Sequence, residues 1–281
     1  MALSLGVGHD RPMEDVLDAS HPGSADPTLK PDEVALMFSG GLDSTATALA
    51  LSRTHERVHL VTYRNGYGHL KLDRARARYE DLVRSAGPNF TWTLISTRPL
   101  FEELLLKSLA ADYRAVRSGF VWCLGCKLAM HARSAWFCLE NGLPRMTDGA
   151  NGETDEMVEQ SLLSLSLIRF FYEDLSVEYG APVYDATRDE SRADLRRRGV
   201  RTGLTVLGRQ LGVQPTCIAG ELYYLPYFLL NKPVKHDEDK VAAFFEAKVP
   251  RAKEFVREGL RRRGLELDAL LAARPTVALA P

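Results

Sequence analysis

Residues 34–45 read VALMFSGGLDST, a run of apolar side chains followed by two adjacent glycines and a group of hydroxyl and carboxyl side chains. The apolar run is typical of a buried strand, and a helical pattern begins at about Asp43. Between them, Gly40 and Gly41 allow backbone N–H groups to turn toward phosphate oxygens, and the helix adds the positive end of its dipole. The segment therefore predicts a strand, a phosphate-binding loop and a helix.

The loop also carries polar side chains that suit a phosphate site. Ser39, Ser44 and Thr45 offer hydroxyl donors. The loop is not a Walker A motif, because it lacks the lysine that reaches the β- and γ-phosphates. The structural alternative is a Gly-Gly turn with Asp43 capping the helix.

Strand and helix patterns alternate after this loop. Strands are predicted at 34–38, 58–63, 90–95 and 144–147. Helices are predicted from Asp43 onward and at 74–85, 99–113 and 126–140. Such alternation indicates an α/β fold with a doubly wound parallel sheet, whose ligand lies at the carboxyl ends of the strands.

Four regions follow from the composition along the chain. Residues 1–32 are predicted to be a flexible N-terminal segment, and 33–180 the domain that carries the phosphate-binding loop. A smaller, mainly helical C-terminal region at 181–271 is expected to complete the active site. Residues 272–281 form an Ala/Pro tail.

The overall composition limits the classes of protein. The chain has 281 residues, 45% hydrophobic content and a formal net charge of -1, which argues against a surface that is basic throughout for nucleic acid. Its apolar runs are too short or interrupted to span a bilayer, and the N-terminus lacks the pattern of a leader, so we expect a cytoplasmic protein without a membrane segment. Four cysteines are too few for a disulfide scaffold.

Three cysteines form a second signal. Cys123 and Cys126 are three residues apart at a predicted helix start, and Cys217 follows much later. Three thiolates can hold three irons of a [4Fe–4S] cluster, whereas a closed zinc site needs a fourth protein ligand. A zinc site completed by a histidine, a redox pair and a buried packing pair are the alternatives. Cys138 lies in the apolar stretch WFCL and is predicted to be a core residue.

The SGGLDS sequence at 39–44 is similar to the SGGxDS signature of the PP-loop ATP pyrophosphatase superfamily. The resemblance implies an adenine nucleotide α-hydrolase-like fold and an enzyme that cleaves ATP between the α- and β-phosphates and transfers AMP to a substrate. It also implies a catalytic Asp43 that lies near Mg²⁺ and pyrophosphate. The residues expected to bind ATP in this loop are Ser39, Gly40, Gly41, Asp43, Ser44 and Thr45.

The order of motifs resembles a narrower group, the PP-loop sulfur transferases, over roughly residues 34–220. This group includes the iron–sulfur-dependent tRNA thiolation enzymes and the lactate racemase nickel-cofactor sulfur-insertion proteins. The matching features are the PP-loop, CLGCK at 123–127, DGAN at 148–151 and the lone Cys217. The DGAN loop looks more like the nickel-cofactor group than the Gly-His-Asn loop of tRNA thiolases.

This resemblance implies an ATP-dependent sulfur transferase. The enzyme would adenylate a substrate oxygen, release pyrophosphate and insert sulfur with a [4Fe–4S] cluster on Cys123, Cys126 and a catalytic Cys217. Gly149 and Asn151 would shape the ATP site and Asp155 would bind magnesium; a simple loop turn and an acidic helix N-terminus are the alternatives.

The expected partners are ATP, Mg²⁺, a sulfur donor and either a small-molecule or a tRNA acceptor, in a possible homo-oligomer. The sequence lacks the extra zinc-finger cysteines and the RNA-binding extension of several tRNA enzymes, which weakens the tRNA hypothesis. Two other functions remain open. A PP-loop ligase would form an amide or amidine with a nitrogen nucleophile, and a regulatory module would bind nucleotide without turnover.

Three further features have two interpretations each. Lys127 either faces phosphate or, as we expect, is solvated. The arginines of segment 188–209 either contact RNA phosphates or form a solvated, salt-bridged surface, which their acidic neighbours favour. The aromatic segment 222–230 either roofs the active site, forms a dimer face or, as we expect, belongs to the core.

Overall fold

The computed structural model describes residues 25–202, 204–206, 209–211, 215–230 and 234–274. Its strands are β1 (Glu33–Met37), β2 (Arg57–Arg64), β3 (His69–Leu70), β4 (Phe90–Ser96), β5 (Arg145–Thr147), β6 (Glu178–Gly180), β7 (Leu204–Val206), β8 (Arg209–Leu211) and β9 (Thr216–Cys217). Five of them form a parallel sheet in the order β4-β2-β1-β5-β6, and β3 pairs with β9 and β7 with β8 in two antiparallel pairs.

Helices cover the sheet and extend beyond it. They are α1 (Leu42–Leu51), α2 (Asp73–Ala86), α3 (Arg98–Phe101), α4 (Leu109–Val116), α5 (Phe120–Glu140), α6 (Leu162–Glu173), α7 (Arg188–Arg197), α8 (Ile218–Leu229), α9 (Glu238–Arg262) and α10 (Leu267–Ala272). The predicted doubly wound α/β fold is confirmed. None of the helices in the described part of the chain is both long enough and apolar enough to span a membrane.

The sheet order places a cleft at one end of β1. Strand β1 pairs with β2 on one side and with β5 on the other, so the chain reverses its direction of winding between β1 and β5. Ligands of doubly wound sheets bind at this reversal, beyond the carboxyl ends of the strands. Strand β1 can lie in the middle of the sheet because Val34, Ala35 and Leu36 have no exposed surface. The loops that follow β1 and β5 are therefore brought side by side.

Helix α5 is the central helix of the core. Almost all of its side chains are buried, and it packs against α9, α3 and β5. It begins at Phe120, so the predicted start at residue 126 was wrong, and the apolar residues 120–122 are its first turn rather than a loop. Cys123 and Cys126 consequently project from consecutive turns inside the helix instead of from its start.

Other predicted boundaries also change. The helix predicted at 99–113 is divided into α3, a π-helical turn at Glu102–Leu106 and α4. Strands β3, β6 and β9 are only two or three residues long and were not predicted. Residues 1–24 of the predicted N-terminal segment and 275–281 of the tail lie outside the described residues, and the domain boundary near residue 181 stays a prediction.

Candidate active site

The loop between β1 and α1 is organised by its own hydroxyl groups. Ser39 Oγ accepts a hydrogen bond from Gly41 N at 3.2 Å and lies 3.1 Å from Ser44 Oγ. Thr45 Oγ1 donates to the carbonyl oxygen of Gly41 at 2.5 Å. Thr62 on β2 donates to the carbonyl of Phe38 at 2.7 Å, which fixes the strand end from which the loop departs. These bonds hold the loop in one shape before any ligand binds.

Gly40 is the residue of the pair that has to be glycine. Its φ of +71° lies in the left-handed region, and a Cβ there would lie 2.9 Å from Ala75 Cα in α2. Gly41, the N-cap of α1, has φ -72° and ψ 178°, an extended conformation that any residue adopts. The tight turn and the close approach of α2 therefore both depend on Gly40.

Gly149, after β5, touches the start of α1 directly. A Cβ at this position would lie 2.5 Å from Ser44 N and 2.6 Å from Ser44 Cα. Only a residue without a side chain allows this contact, which joins the loop after β5 to the first turn of α1. The two loops that the sequence resemblance assigned to the ATP site are thus adjacent.

A cleft of about 1500 Å³ opens at these strand ends. Five of the residues predicted to bind ATP line it: Ser39, Gly41, Asp43, Ser44 and Gly149. Cys217 lines the same cleft, so the phosphate-binding loop and one of the predicted cluster ligands share a single space. Other residues of the wall include Lys127, Asp148, Glu153 and Arg188.

Three predicted site residues stand behind the wall of the cleft. The hydroxyl of Thr45 is engaged by Gly41 and the residue is 1% exposed. Asn151 is fully buried, and its amide donates to the carbonyls of Val183 and Ala186 and accepts from Glu153 N. Their side chains order the site from behind, and ATP contact by these two residues stays a prediction. Gly40 is the third predicted site residue behind the wall, and it shapes the site through the turn described above.

Asp155, predicted to bind magnesium, lies on an exposed turn and is not a residue of the cleft wall. Glu153, two positions earlier, does line the cleft, and its charge raises the pKa of Asp43. The geometry therefore favours Glu153 over Asp155 as a second carboxylate near the phosphate loop. Sequence reasoning missed Glu153 because its position depends on the 3₁₀ turn Gly152–Thr154.

Asp43 is the carboxylate of the phosphate loop, and its environment is unusual. Burial raises its pKa above the ordinary value, while Arg188 and Arg192 act in the opposite direction. Among the described residues, its Oδ1 atom is buried and accepts no hydrogen bond, and Arg188 Nε, which likewise makes none, lies 3.6 Å away in an ion pair. Such an oxygen is available to a cation in the cleft.

Arg188 reaches this site from the first turn of α7. The helix starts with a capping box, in which Thr187 accepts from Glu190 N at 3.2 Å and Glu190 accepts from Thr187 N at 2.9 Å. Arg188 N also donates to Glu153 Oε2 at 3.2 Å. The Thr-x-x-Glu pattern at 187–190 is the sequence signal that could have located this helix start.

Three further arginines of this segment form ion pairs. Arg192 pairs with Asp189, Arg197 with Asp194, and Arg201 with Asp81. The salt-bridged interpretation is therefore confirmed for these three residues.

Lys127 of the CLGCK motif and Asp148 of the DGAN motif form a buried ion pair. Lys127 Nζ lies 2.6 Å from Asp148 Oδ2, which also accepts from Tyr179 Oη at 2.8 Å, and Ala150 N donates to Oδ1 at 2.9 Å. Burial opposes ionisation of Asp148, but Lys127 outweighs it and holds the pKa of the carboxyl below its usual value. Lys127 is 9% exposed, so the prediction that it is solvated was wrong.

Cys123, Cys126 and Cys217 lie near one another, and Cys217 lines the cleft. Cys126 Sγ accepts from Asn65 Nδ2 at 3.3 Å and lies 3.7 Å from His69 Nε2. Cys217 is the direct partner of His69 in the β3–β9 pair. Burial raises the pKa of all three thiols, to about 12 for Cys126, and each pKa rises further with nearby negative charges that include Glu159.

This donor set fits an iron–sulfur cluster better than a single ion. Within the described residues, no three His, Cys, Asp or Glu side chains are close enough to hold one metal ion. In a cluster each thiolate binds a different iron, so its ligands are spaced more widely. Cys123 and Cys126, one turn apart on α5, and Cys217, across from them, provide three such thiols, and the Asn65 N–H···S bond is of the kind that tunes cluster thiolates.

Cys138 and the aromatic segment have different surroundings. Cys138 is fully buried beside Met146, so its predicted core position is confirmed. In α8, Tyr224 and Tyr227 line the cleft, whereas Leu222 and Leu229 are 67% and 74% exposed. The predicted core position is thus confirmed for Tyr224, which is 8% exposed, and wrong for Leu222 and Leu229, while Tyr224 and Tyr227 also agree with the roofing alternative.

Comparison with solved structures gives a fold relationship. A 4-thiouridine synthetase in complex with RNA and bound ATP aligns with 81% of this chain and 53% of its own, at 16% identity and a TM-score of 0.52. The chain thus spans about half the length of that synthetase. This likeness confirms the predicted fold. No family model matches the sequence, and no curated protein is similar to it in sequence.

Two further structures align with lower scores. A predicted subunit of a tRNA methyltransferase from Methanocaldococcus jannaschii aligns with 59% of this chain and 75% of its own, at 16% identity and a TM-score of 0.39. The U34-tRNA thiolase NcsA from Methanococcus maripaludis, with its [4Fe–4S] cluster, aligns with 83% of this chain and 74% of its own, at 13% identity and a TM-score of 0.41.

Proposed function

We propose that this chain is an ATP-dependent sulfur transferase. The observation that carries the proposal is that the phosphate-binding loop and Cys217 line one cleft, with Cys123 and Cys126 buried beside it. The structurally similar 4-thiouridine synthetase was solved with ATP, which agrees with a nucleotide at the loop. Two chemical steps need such a shared space, activation of an oxygen by ATP and its replacement by sulfur.

In the first step a substrate oxygen attacks the α-phosphorus of ATP. The new O–P bond forms, the bond between the α- and β-phosphates breaks, and pyrophosphate leaves. The N–H groups at the start of α1 and the hydroxyls of Ser39 and Ser44 stabilise the departing charge. The carboxylate of Asp43, which pairs with Arg188 at 3.6 Å, would hold Mg²⁺ with Glu153 near it, and Arg188 would offer its guanidinium to phosphate oxygens.

In the second step a sulfur nucleophile attacks the activated carbon, and AMP leaves with the oxygen. Cys123, Cys126 and Cys217 would hold a [4Fe–4S] cluster, which supplies a place for sulfide when bound. Metal binding requires the three thiols to lose their protons, which burial opposes and the positive charge of iron favours. The Tyr224 and Tyr227 side chains of α8 form part of the wall near this end and help to exclude water.

The acceptor enters the cleft between the loop and the thiols. A small molecule and a tRNA nucleotide are both compatible with a cleft of about 1500 Å³. The cleft wall carries Lys71 and Arg74 as well as Glu156 and Glu159, so a small molecule and a tRNA nucleotide are both candidate acceptors.

The proposal is tested by iron and acid-labile sulfide analysis after anaerobic reconstitution, together with pyrophosphate release. Cys123→Ala, Cys126→Ala and Cys217→Ala should each lower iron and sulfide together while retaining ATP affinity. Cys138→Ala is the matched control, because this thiol packs in the core, and it should keep its iron.

A wild-type iron content in Cys217→Ala would reject the three-thiol site. A protein that releases pyrophosphate with an amine acceptor but binds no iron would be a ligase with a nitrogen nucleophile. A protein that binds ATP and never releases pyrophosphate with any candidate acceptor would be a nucleotide-binding module.

A further inference from the structure

Helix α8 exposes a large amount of apolar surface for its length. Ten large apolar side chains are exposed among the described residues, and five of them lie in α8 or directly after it. They are Ile218 (42% exposed), Leu222 (67%), Leu225 (38%), Leu229 (74%) and Leu230 (63%). Single exposed leucines are common on soluble proteins, whereas a contiguous group of this kind marks an interaction surface.

Four of these side chains form one stripe along the helix. Ile218, Leu222, Leu225 and Leu229 follow each other at spacings of four, three and four residues. With 3.6 residues per turn, all four lie within about 60° of one another around the helix axis. This is the spacing of the seam along which two helices pack side by side. We call these four residues the aliphatic stripe.

The opposite side of α8 is attached to the rest of the chain. Tyr224 Oη accepts a hydrogen bond from Val158 N at 3.0 Å and donates one to Glu159 Oε2 at 2.9 Å. Tyr224 and Tyr227 both line the cleft. The helix is therefore held with its tyrosines toward the cleft and its aliphatic stripe away from it.

The chemistry of the stripe indicates what covers it. Glu221 is the only charged residue between Ile218 and Leu229, and it lines the cleft. A helix that lies on a membrane surface carries lysines and arginines beside its apolar face, and α8 has neither. Helix pairs between different chains are selected by complementary charges beside the seam, which α8 also lacks. An identical helix needs no such charges, and it meets no like charge along the stripe.

The exposed area is sufficient for a contact between two copies. The exposed parts of the five side chains amount to roughly 500 Å² on each chain, so a pair of chains would bury about 1000 Å², the size at which specific interfaces begin. We propose that α8 is a homodimer contact, in which the aliphatic stripes of two copies pack against each other across a twofold axis. Each α8 then has its partner on one side and its own cleft on the other, so the dimer steadies the tyrosine wall of both clefts. This contact is independent of the proposed reaction.

Sedimentation velocity of the reduced, full-length protein tests the contact. The wild type should sediment with the mass of two chains at micromolar concentration. Leu222→Glu should raise the dimer dissociation constant at least about a hundredfold, because it would bury two carboxylates in an apolar seam. Leu162→Glu is the matched control, since Leu162 is 65% exposed at the start of α6, and this variant should remain a dimer.

Leu229→Glu is a second variant of the stripe and should dissociate the dimer as well. Thermal unfolding checks that the variants are folded, and the wild-type measurement needs no variant. A wild type that is monomeric at about 100 μM, or stripe variants that dimerise as the wild type does, would overturn the contact. A monomeric wild type that cosediments with phosphatidylcholine vesicles would overturn it too and assign the stripe to a membrane surface.

Discussion

Gly149→Ala offers a direct test of how the two loops build the nucleotide site. The added carbon would lie 2.5 Å from Ser44 N, and it must move about 0.9 Å to reach the 3.4 Å at which ordinary contact begins. Both close neighbours are backbone atoms of α1, so no flexible side chain can yield. The loop after β5 and the first turn of α1 must therefore separate.

The separation should weaken ATP binding more than it weakens the fold. Overpacking of this kind costs about 1–3 kcal/mol of stability. Misdirecting one N–H group of the α1 terminus removes a hydrogen bond to a charged phosphate, worth about 1.5–3 kcal/mol, so ATP affinity should fall at least about tenfold. Calorimetric titration with a non-hydrolysable ATP analogue measures the affinity, and thermal unfolding measures the stability.

Gly180→Ala is the matched control for this substitution. Gly180 ends β6, the neighbouring strand, and a Cβ there meets nothing within 4 Å. It should bind the analogue as the wild type does. If Gly149→Ala also binds with wild-type affinity, the contact between Gly149 and Ser44 does not shape the nucleotide site.

Two further substitutions test the charges of the cleft. Lys127→Met leaves the buried Asp148 without its cation and should lower the free energy of unfolding by about 3–5 kcal/mol in chemical denaturation. The same change at the exposed Lys107 is the control and should cost less than about 1 kcal/mol. Equal effects of the two substitutions would contradict the buried ion pair. Asp43→Asn should stop pyrophosphate release yet retain or raise stability at pH 7. Burial raises the pKa of Asp43 in the folded state, so ionisation of this carboxyl lowers the stability of the protein as the pH rises through that pKa. The free energy of unfolding of the wild type should therefore increase relative to that of the variant as the pH falls toward 4. A variant that is less stable at pH 7 and fully active when folded would indicate helix capping instead.

The parts of the site that could be predicted from the sequence are local ones. The strand, the glycine turn and the helix at 34–45 follow from neighbouring residues. The three-residue spacing of Cys123 and Cys126 is also visible in the sequence, but the predicted helix began only at Cys126. Because β1 is buried, it is expected to lie inside the sheet with a neighbouring strand on each side. The sequence could also have located the start of α7 from its capping box, and with it Arg188.

The parts that could not be predicted depend on contacts between distant segments. His69 reaches Cys217 only through a pair of two-residue strands, too short for a periodic pattern to appear. Lys127 looked solvated because its charge is usually exposed, and its burial becomes tolerable only when β5 brings Asp148 within 2.6 Å. Asn151 belongs to the DGAN motif, but its amide donates hydrogen bonds to the backbone carbonyls of Val183 and Ala186.

A continuous set of contacts joins the thiol end of the cleft to the phosphate loop. Lys127 follows Cys126 on α5 and pairs with Asp148, which precedes Gly149, and Gly149 rests on Ser44 at the start of α1. Each contact is buried and tightly packed, so a displacement at one end has little room to be absorbed along the way. In the proposed reaction, the CLGCK and DGAN motifs therefore have a structural role as well. Their adjacent residues Lys127 and Asp148 fix the spacing between the three thiols and the phosphate loop.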